Sequence, residues 1–243
     1  MKKLHRGGSS PDGEPLSAGR VEYLEAARQR VRRRRLRRTA ILLAALILVT
    51  LFATGAVGAS IARVKDMVDT VHIALSPAVG WPQQTGLGDL TAVQPMSGSF
   101  AAMDEDACVV YSLGGTRLAG IQSGYARPAL AAGKTRFVLY NRSGNELRVE
   151  SRTQNLYSKT LENSIYLCAM SDTGTLAVAT DSADSTARLT VYTPTMSEQL
   201  HWDMTSAQGT PVRMAFAADS RRLAVAAVTS SAGQLQANLF ALS

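Results

Sequence analysis

Few side chains in this 243-residue sequence could perform covalent chemistry. A hydrolytic triad needs a nucleophile, a base and a group that orients the base. The last 155 residues contain one histidine, His201, and the run LHWDM around it reads as the edge of a strand. The sequence has no G-x-S-x-G, Walker or H-E-x-x-H motif, and its few Cys and His residues do not suggest a transition-metal site. We therefore expect that the protein is not an enzyme and that it has no catalytic residue, no bound metal and no cofactor.

Repeated aspartates are the one pattern that could hold a cation. They occur at corresponding turns of a repeated unit, at Asp104, Asp106, Asp172 and Asp219. Carboxylates that gather at one face can bind Ca²⁺ or a cationic partner. An aspartate at a tight turn more simply accepts hydrogen bonds from backbone N–H groups a few residues ahead. We interpret these four as turn residues.

The two cysteines, Cys108 and Cys168, lie in the apolar runs ACVVYSL and IYLCAM. Each occupies what looks like a core position of a different repeat, which favours buried free thiols. A disulfide is the alternative, since the compartment could be oxidising.

The positive charge is concentrated in the first 39 residues. They hold 12 of the 26 Lys and Arg residues but only four of the 19 Asp and Glu residues, so the remainder of the chain is close to neutral. A basic folded domain that binds nucleic acid is therefore not indicated.

The stretch 40–61, AILLAALILVTLFATGAVGASI, has no charge and no proline. Its 22 residues suffice for a helix to cross a bilayer core of about 30 Å. A group of arginines directly precedes it: Arg28, Arg30, Arg32, Arg33, Arg34, Arg35, Arg37 and Arg38. Such residues stay on the cytoplasmic side and attract anionic lipid headgroups. We expect an uncleaved, single-pass signal anchor in the plasma membrane, with the N-terminus cytoplasmic; a signal peptide cleaved near Ser60 is the alternative.

Three further segments flank this stretch. Residues 1–19 are rich in Gly, Ser and Pro and are predicted to be disordered. Residues 20–39 are predicted to form a basic juxtamembrane helix, for which RNA binding is a weaker alternative. Residues 62–88 are predicted to form a stalk. Its apolar residues recur at helical spacing, and the helix should break before Pro77. His72, in this stalk, reads as a solvated residue.

From residue 89 onward, short apolar runs alternate with polar turns. Four units align, at residues 99–121, 127–151, 165–193 and 211–242. In each, two runs that are apolar on both faces are followed by a run that alternates, so we expect burial to fall from the first strand to the third. This is the pattern of a β-propeller. The predicted fold is all-β: about four blades after one transmembrane helix.

Several short motifs resemble those of known propellers. SDTGTLAVA at 171–179 and AADSRRLAVA at 217–226 resemble the turn of WD-repeat and TolB-like propellers. Together with GWP at 80–82, GYARP at 124–128 and LRVES at 147–151, the layout resembles an uncharacterised bacterial group, domain-of-unknown-function family 5711. The resemblance implies a basic tail, one span and an outward propeller, and it implies no activity.

The length from residue 89 allows close to four blades at about 40 residues each, whereas the resemblance implies a longer ring. We hypothesise a partial propeller, truncated on its C-terminal side; closure with four blades and completion by a partner are the alternatives. The expected function is a membrane-anchored, extracytoplasmic module that binds or scaffolds proteins. The alternatives are an enzyme or redox protein with its site in the ring centre, and a sensor that signals through the basic tail.

Overall fold

The computed structural model of the chain describes residues 56–243 except residue 232. In this part, a helix, α1 (Ala56–Leu75), is followed by fifteen strands that form four antiparallel sheets. The all-β prediction for the region after α1 is therefore confirmed.

We call the four sheets blades 1 to 4. Blade 1 contains β1 (Ala92–Met96), β2 (Ser99–Met103), β3 (Ala107–Ser112) and β4 (Arg117–Gln122). Blade 2 contains β5 (Pro128–Ala132), β6 (Arg136–Asn141), β7 (Glu146–Ser151) and β8 (Asn155–Thr160). Blade 3 contains β9 (Ile165–Met170), β10 (Leu176–Thr180), β11 (Ala187–Tyr192) and β12 (Glu198–Met204). Blade 4 has three strands, β13 (Thr210–Phe216), β14 (Leu223–Ser231) and β15 (Gln234–Leu242).

The blades stand side by side in chain order. Their first strands are neighbours, with β1 beside β5, β5 beside β9 and β9 beside β13. Within the described residues no hydrogen bond joins blade 4 to blade 1. In this part of the chain the contacts between first strands thus run from blade 1 to blade 4 in sequence.

Two details of the strand prediction were wrong. The unit at residues 99–121 starts at β2, so its three runs are the second to fourth strands of blade 1, whereas the other units start at a first strand. The expected fall in burial from the first strand is also absent, because β6 and β10 are buried along almost their whole length while β5 is only half-buried. A middle strand has a hydrogen-bonded neighbour on each side, whereas a first strand has such a neighbour on one side only.

Apolar side chains from adjacent blades make the core. One cluster lies between blades 1 and 2, a second between blades 2 and 3, and a third between blades 3 and 4. Cys108 belongs to the first cluster and Cys168 to the second, so the two free thiols sit in different blades, as predicted. Burial raises the pKa of Cys108 to about 12 and that of Cys168 well above its ordinary value.

The segment predicted to be a stalk begins as helix α1. The helix ends at Leu75, where the Ser76 hydroxyl donates to the carbonyl of His72 and Pro77 prevents continuation. No helix in residues 56–243, residue 232 aside, combines the length and apolar character needed to cross a membrane. The predicted tail, basic helix and flanking arginines, and most of the predicted span, lie outside the described residues.

Candidate interaction surface on helix α1

Helix α1 turns its polar side toward the blades and its apolar side outward. Asp69 and Ile73 are buried and Asp66 is half-buried. The apolar residues that the sequence places at helical spacing are between 49% and 78% exposed: Val64, Met67, Val68, Val71 and Leu75. We call these five residues the apolar stripe. An amphipathic helix on a soluble domain normally buries such a stripe, so this arrangement needs a specific cause.

The first cause is Arg152, which follows β7 and is fully buried. Its Nε donates to Asp69 Oδ2 at 3.2 Å, its Nη1 to the carbonyl of Ser97 at 2.8 Å, and its Nη2 to the Thr70 hydroxyl at 2.6 Å. The Thr153 hydroxyl donates to the other oxygen of Asp69. One buried cation thus ties α1 to blade 2 and to the β1–β2 turn of blade 1.

The second cause is Arg136, the first residue of β6, which is also buried. Its Nε lies 3.1 Å from each carboxylate oxygen of Asp66, and its Nη1 donates to the carbonyl of Pro194 at 2.7 Å. The Thr135 hydroxyl also donates to Asp66. This pair links α1 to blade 2 and to the β11–β12 turn of blade 3. We call the two Asp–Arg pairs the clasp.

The β9–β10 turn leaves room for the clasp. Gly174 has a φ of +86°, a conformation that non-glycine residues rarely adopt. A Cβ at this position would lie 2.9 Å from Cδ of Arg136. Glycine at position 174 therefore both allows the backbone conformation of the turn and leaves space for the Arg136 side chain.

The clasp explains why α1 docks with its polar side. Two buried guanidinium groups would be costly without partners, and Asp66 and Asp69, one helical turn apart, supply them. Removing one member of a buried ion pair typically costs about 3–5 kcal/mol. The orientation of α1 is thus set by ion pairing, and the apolar stripe is left at the surface.

The turn aspartates do not converge on a site. Asp104 Oδ1 accepts from the N–H groups of Asp106 and Ala107, and Asp219 Oδ1 accepts from those of Arg221 and Arg222. The turn interpretation is confirmed for these two, whereas Asp172 instead forms an ion pair with Lys134. Among the described residues, no three His, Cys, Asp or Glu side chains are grouped so that they could hold a metal ion.

Asp104 has a further contact that the sequence did not reveal. Its Oδ2 accepts from the N–H of Gly88 at 2.8 Å. This hydrogen bond holds the segment 80–90 against the face of blade 1 that points away from blade 2. In the same segment, the ring of Trp81 packs against those of Phe100 and Tyr111, at 5.7 and 5.6 Å, and these two rings stack on each other. The backbone N–H groups of Gly88, Ala107 and Asp106 all donate to the Asp104 carboxylate. These hydrogen bonds, of which that from Gly88 has the largest effect, lower the pKa of Asp104 below its ordinary value of 3.8.

We expect Asp104→Ala to loosen the segment 80–90. Because the folded pKa lies below the unfolded value, the stabilisation from the carboxylate is complete above about pH 4–5 and disappears as the pH falls through the folded pKa. Amide hydrogen exchange at pH 7 should therefore be faster around Gly88 in the variant. Asp219→Ala, which removes a comparable turn aspartate in blade 4, should leave exchange at Gly88 unchanged; equal exchange in wild type and Asp104→Ala would contradict the assignment.

The other residues considered from the sequence lie apart from the clasp. His201 is exposed on β12, where its Nδ1 lies 3.0 Å from Glu198 Oε1. It borders an open groove of about 380 Å³ between blades 2 and 3, with Lys159, Arg188 and Tyr192 among the other lining residues. The groove mixes both charges, and Arg188 already pairs with Asp203 through two hydrogen bonds. His72 is exposed on α1, in agreement with its interpretation as a solvated residue.

Sequence reasoning missed all four residues of the clasp. Asp66 and Asp69 lie in the segment that the sequence predicts only as a stalk. The available signal was their spacing of three, on the side of the helix opposite the apolar stripe. Arg136 could not be singled out as a buried residue, because Arg222 occupies the same position of the repeat in blade 4 and its side chain is exposed.

Comparison with known proteins gives one family. The model of a family described as "Family of unknown function (DUF5711)" matches residues 79–242. No curated protein sequence is detectably similar to the chain.

Solved structures with a similar fold are distant in sequence. Hsv2 from Kluyveromyces marxianus is 13% identical over 57% of this chain and 44% of that chain, with a TM-score of 0.47. The WD40 domain of Neurospora crassa Pan2 is 9% identical over 63% and 48%, with a TM-score of 0.43. A complex of KlAtg21 with the coiled coil of AgAtg16 gives 15% identity over 67% and 54%, with a TM-score of 0.49. The chain spans about half the length of these structures.

Proposed function

The chain belongs to the DUF5711 family, and on that premise we propose that it is a membrane-anchored, extracytoplasmic propeller module that binds other proteins and does no catalysis. The proposed binding surface is the apolar stripe of α1.

The proposed anchor is the apolar stretch 40–61, with its arginines on the cytoplasmic side. Helix α1 starts at Ala56, within this stretch, and continues without interruption to Leu75. The fourteen residues after Ile61 rise about 21 Å as a helix. The clasp then fixes this helix to blades 1, 2 and 3.

The observation that carries the proposal is the exposed apolar stripe. Isolated exposed apolar residues are ordinary, but a contiguous group of five large ones indicates an interaction site. Their spacing along the helix, from Val64 to Leu75, is the spacing by which a helix packs into an apolar groove or against another helix. The clasp presents the stripe in a fixed orientation, which lowers the entropic cost of binding.

The test compares two pairs of substitutions on the same helix. In cells, full-length chain carrying Val68→Asp and Val71→Asp should lose its co-purifying partner by at least about tenfold, since buried unpaired carboxylates oppose apolar contact. Lys65→Asp and His72→Asp change exposed positions beside the stripe and should retain the partner. The readout is quantitative mass spectrometry after solubilisation in mild detergent.

Two results would contradict the proposal. The first is that no protein is enriched with wild type, or that the same proteins are enriched with both pairs of variants. The second concerns the anchor: protease added to intact cells should cleave beyond Trp81, and protection of that region would reject the extracytoplasmic location.

A further inference from the structure

The apolar stripe of α1 follows a seven-residue repeat. Its members Val64, Val68, Val71 and Leu75 are separated by steps of four, three and four residues, and Ile61 precedes Val64 by a further step of three. Steps that alternate in this way define the a and d positions of a heptad, with Val68 at a and Val71 at d. In a coiled coil these two positions form the seam along which neighbouring helices pack. The register of the stripe therefore predicts a second helix beside α1.

The clasp holds α1 by the side opposite this seam. With Val68 at a, Asp66 takes position f and Asp69 takes position b. Positions b, c and f lie on the side of a helix away from the a and d residues. Arg136 and Arg152 bind α1 at these two aspartates, at 3.1 and 3.2 Å. The seam thus points away from the blades that bind the helix.

The residues that border the seam would not repel those of an identical helix. No charged residue takes an a or d position, whereas Lys65 and His72 both take position e and are both exposed. In a parallel pair of helices, an e residue faces a g residue of the other helix, from the heptad before. Lys65 would therefore face Ser60 of an identical helix, and His72 would face Met67 of that helix. Neither contact brings like charges together.

The size of the stripe limits which partner can use it. Full burial of a Val, Leu or Met side chain removes roughly 60–120 Å² of apolar surface from water, so the ten side chains of two facing stripes supply about 600–1,200 Å². A specific interface between freely diffusing proteins needs at least about 1,000–1,200 Å². The stripe is therefore marginal for a partner in solution. A partner held in the same membrane gains from a higher effective concentration.

A second copy of the chain meets these conditions. Its proposed anchor lies in the same bilayer, so its α1 leaves the membrane in the same direction and its seam starts at the same distance from the membrane. The heptad positions of the two copies then coincide along the whole stripe. Identical helices related by a two-fold axis present the same patch to each other, whereas an unrelated helix has to match direction, height and register independently.

We propose that α1 packs in parallel and in register against α1 of a second copy of the chain, through the heptad positions of the apolar stripe. This inference rests on the proposed function, because it names the protein that the stripe binds and uses the proposed anchor to set the direction of the helices. Each a residue meets the same a residue of the second copy, and each d residue meets the same d residue. Val68 and Val71 therefore each contact their own counterpart.

Disulfide cross-linking of full-length chain in intact membranes tests the register. Copies with two different tags are co-expressed, and both carry the same substitution. Val68→Cys and Val71→Cys should each form a disulfide between the tags, because identical seam positions adjoin across the axis. His72→Cys is the matched control: it is exposed but lies at position e, and it should cross-link at least about tenfold less. The native thiols at positions 108 and 168 are buried and should not contribute.

Co-purification of the second tag provides the other readout. Wild type that is captured through one tag should enrich the copy with the other tag, which mass spectrometry detects as a bound protein. Val68→Asp with Val71→Asp in both copies should reduce this enrichment by at least about tenfold, since buried unpaired carboxylates oppose apolar contact. Lys65→Asp with His72→Asp should retain it, because position e faces neutral residues of the other helix.

Three results would overturn the inference. If another protein is enriched and the second tag is not, and if that protein is lost with Val68→Asp and Val71→Asp, the proposed function stands and the second copy is the wrong partner. If neither the second tag nor any other protein is enriched, the inference and the proposed function both fail. If Val71→Cys and His72→Cys cross-link equally well, the copies do not pair through the heptad register, and only the inference fails.

Discussion

Replacing Arg152 by methionine should destabilise the protein by about 3–5 kcal/mol and release α1 from the blades. Methionine keeps much of the volume of the arginine side chain but leaves the Asp69 carboxylate buried without its cation, and the carbonyl of Ser97 without its donor. The expected result is a lower midpoint in urea unfolding, with fast amide exchange throughout residues 64–75. This is one of the two largest effects that we expect from single substitutions in the described part of the chain.

Arg222→Met is the matched control for this experiment. Arg222 also pairs with an aspartate, Asp219 at 3.0 Å, but that pair lies at the surface, where ion pairs contribute little. The double variant Arg152→Met with Asp69→Asn should recover part of the loss, because it removes the unpaired charge. Equal effects of Arg152→Met and Arg222→Met, with α1 still protected from exchange, would show that the clasp does not hold the helix.

Replacing Phe137 by alanine should have an effect of similar size, about 3–5 kcal/mol, through a cavity between blades 1 and 2. Phe137 is fully buried and belongs to the same apolar cluster as Cys108. The measurement is again the midpoint of urea unfolding, now combined with the reaction rate of each thiol. A thiol reacts as its thiolate, so the raised pKa of Cys108 keeps it nearly inert at pH 8 in the wild type.

The labelling rates of the two native cysteines show which apolar cluster the substitution loosens. In Phe137→Ala, labelling of Cys108 should accelerate more than labelling of Cys168, which lies in the cluster between blades 2 and 3. Phe216→Ala is the control in blade 4, where the side chain is only partly buried; it should cost less and leave Cys108 unreactive. A uniform rise in both rates would mean that the blades unfold together, against the separate clusters described above.

Most strands of the blades can be predicted from the sequence, because their apolar runs are long and characteristic turn residues separate them. The run IYLCAM and the turn SDTG predict β9, the start of β10 and the turn between them, and Pro77 predicts the end of α1. The outer strands were harder to see. β8 reads NLYSKT and looks like a polar loop, because an outer strand needs charge to protect its edge. In β12, EQLHWDM, only the run LHWDM reads as the edge of a strand.

The clasp could not be read from the sequence for a different reason. A helix with an apolar stripe is expected to bury that stripe, and only the three-dimensional position of Arg136 and Arg152 reverses the expectation. Both arginines lie in blade 2, about seventy to eighty residues from their aspartates. No local pattern encodes a pairing over that separation. The outward stripe, and with it the proposed binding surface, follows only once the pairing is known.

Cysteine labelling along α1 measures the orientation of the helix most directly. In purified full-length chain, a water-soluble maleimide should label His72→Cys rapidly and Ile73→Cys slowly, because His72 is exposed and Ile73 is 8% exposed on the side of the clasp. Combining Ile73→Cys with Arg152→Met should abolish that protection. If Ile73→Cys reacts as fast as His72→Cys in an otherwise wild-type chain, α1 does not dock through Asp66 and Asp69, and the binding surface proposed here is wrong.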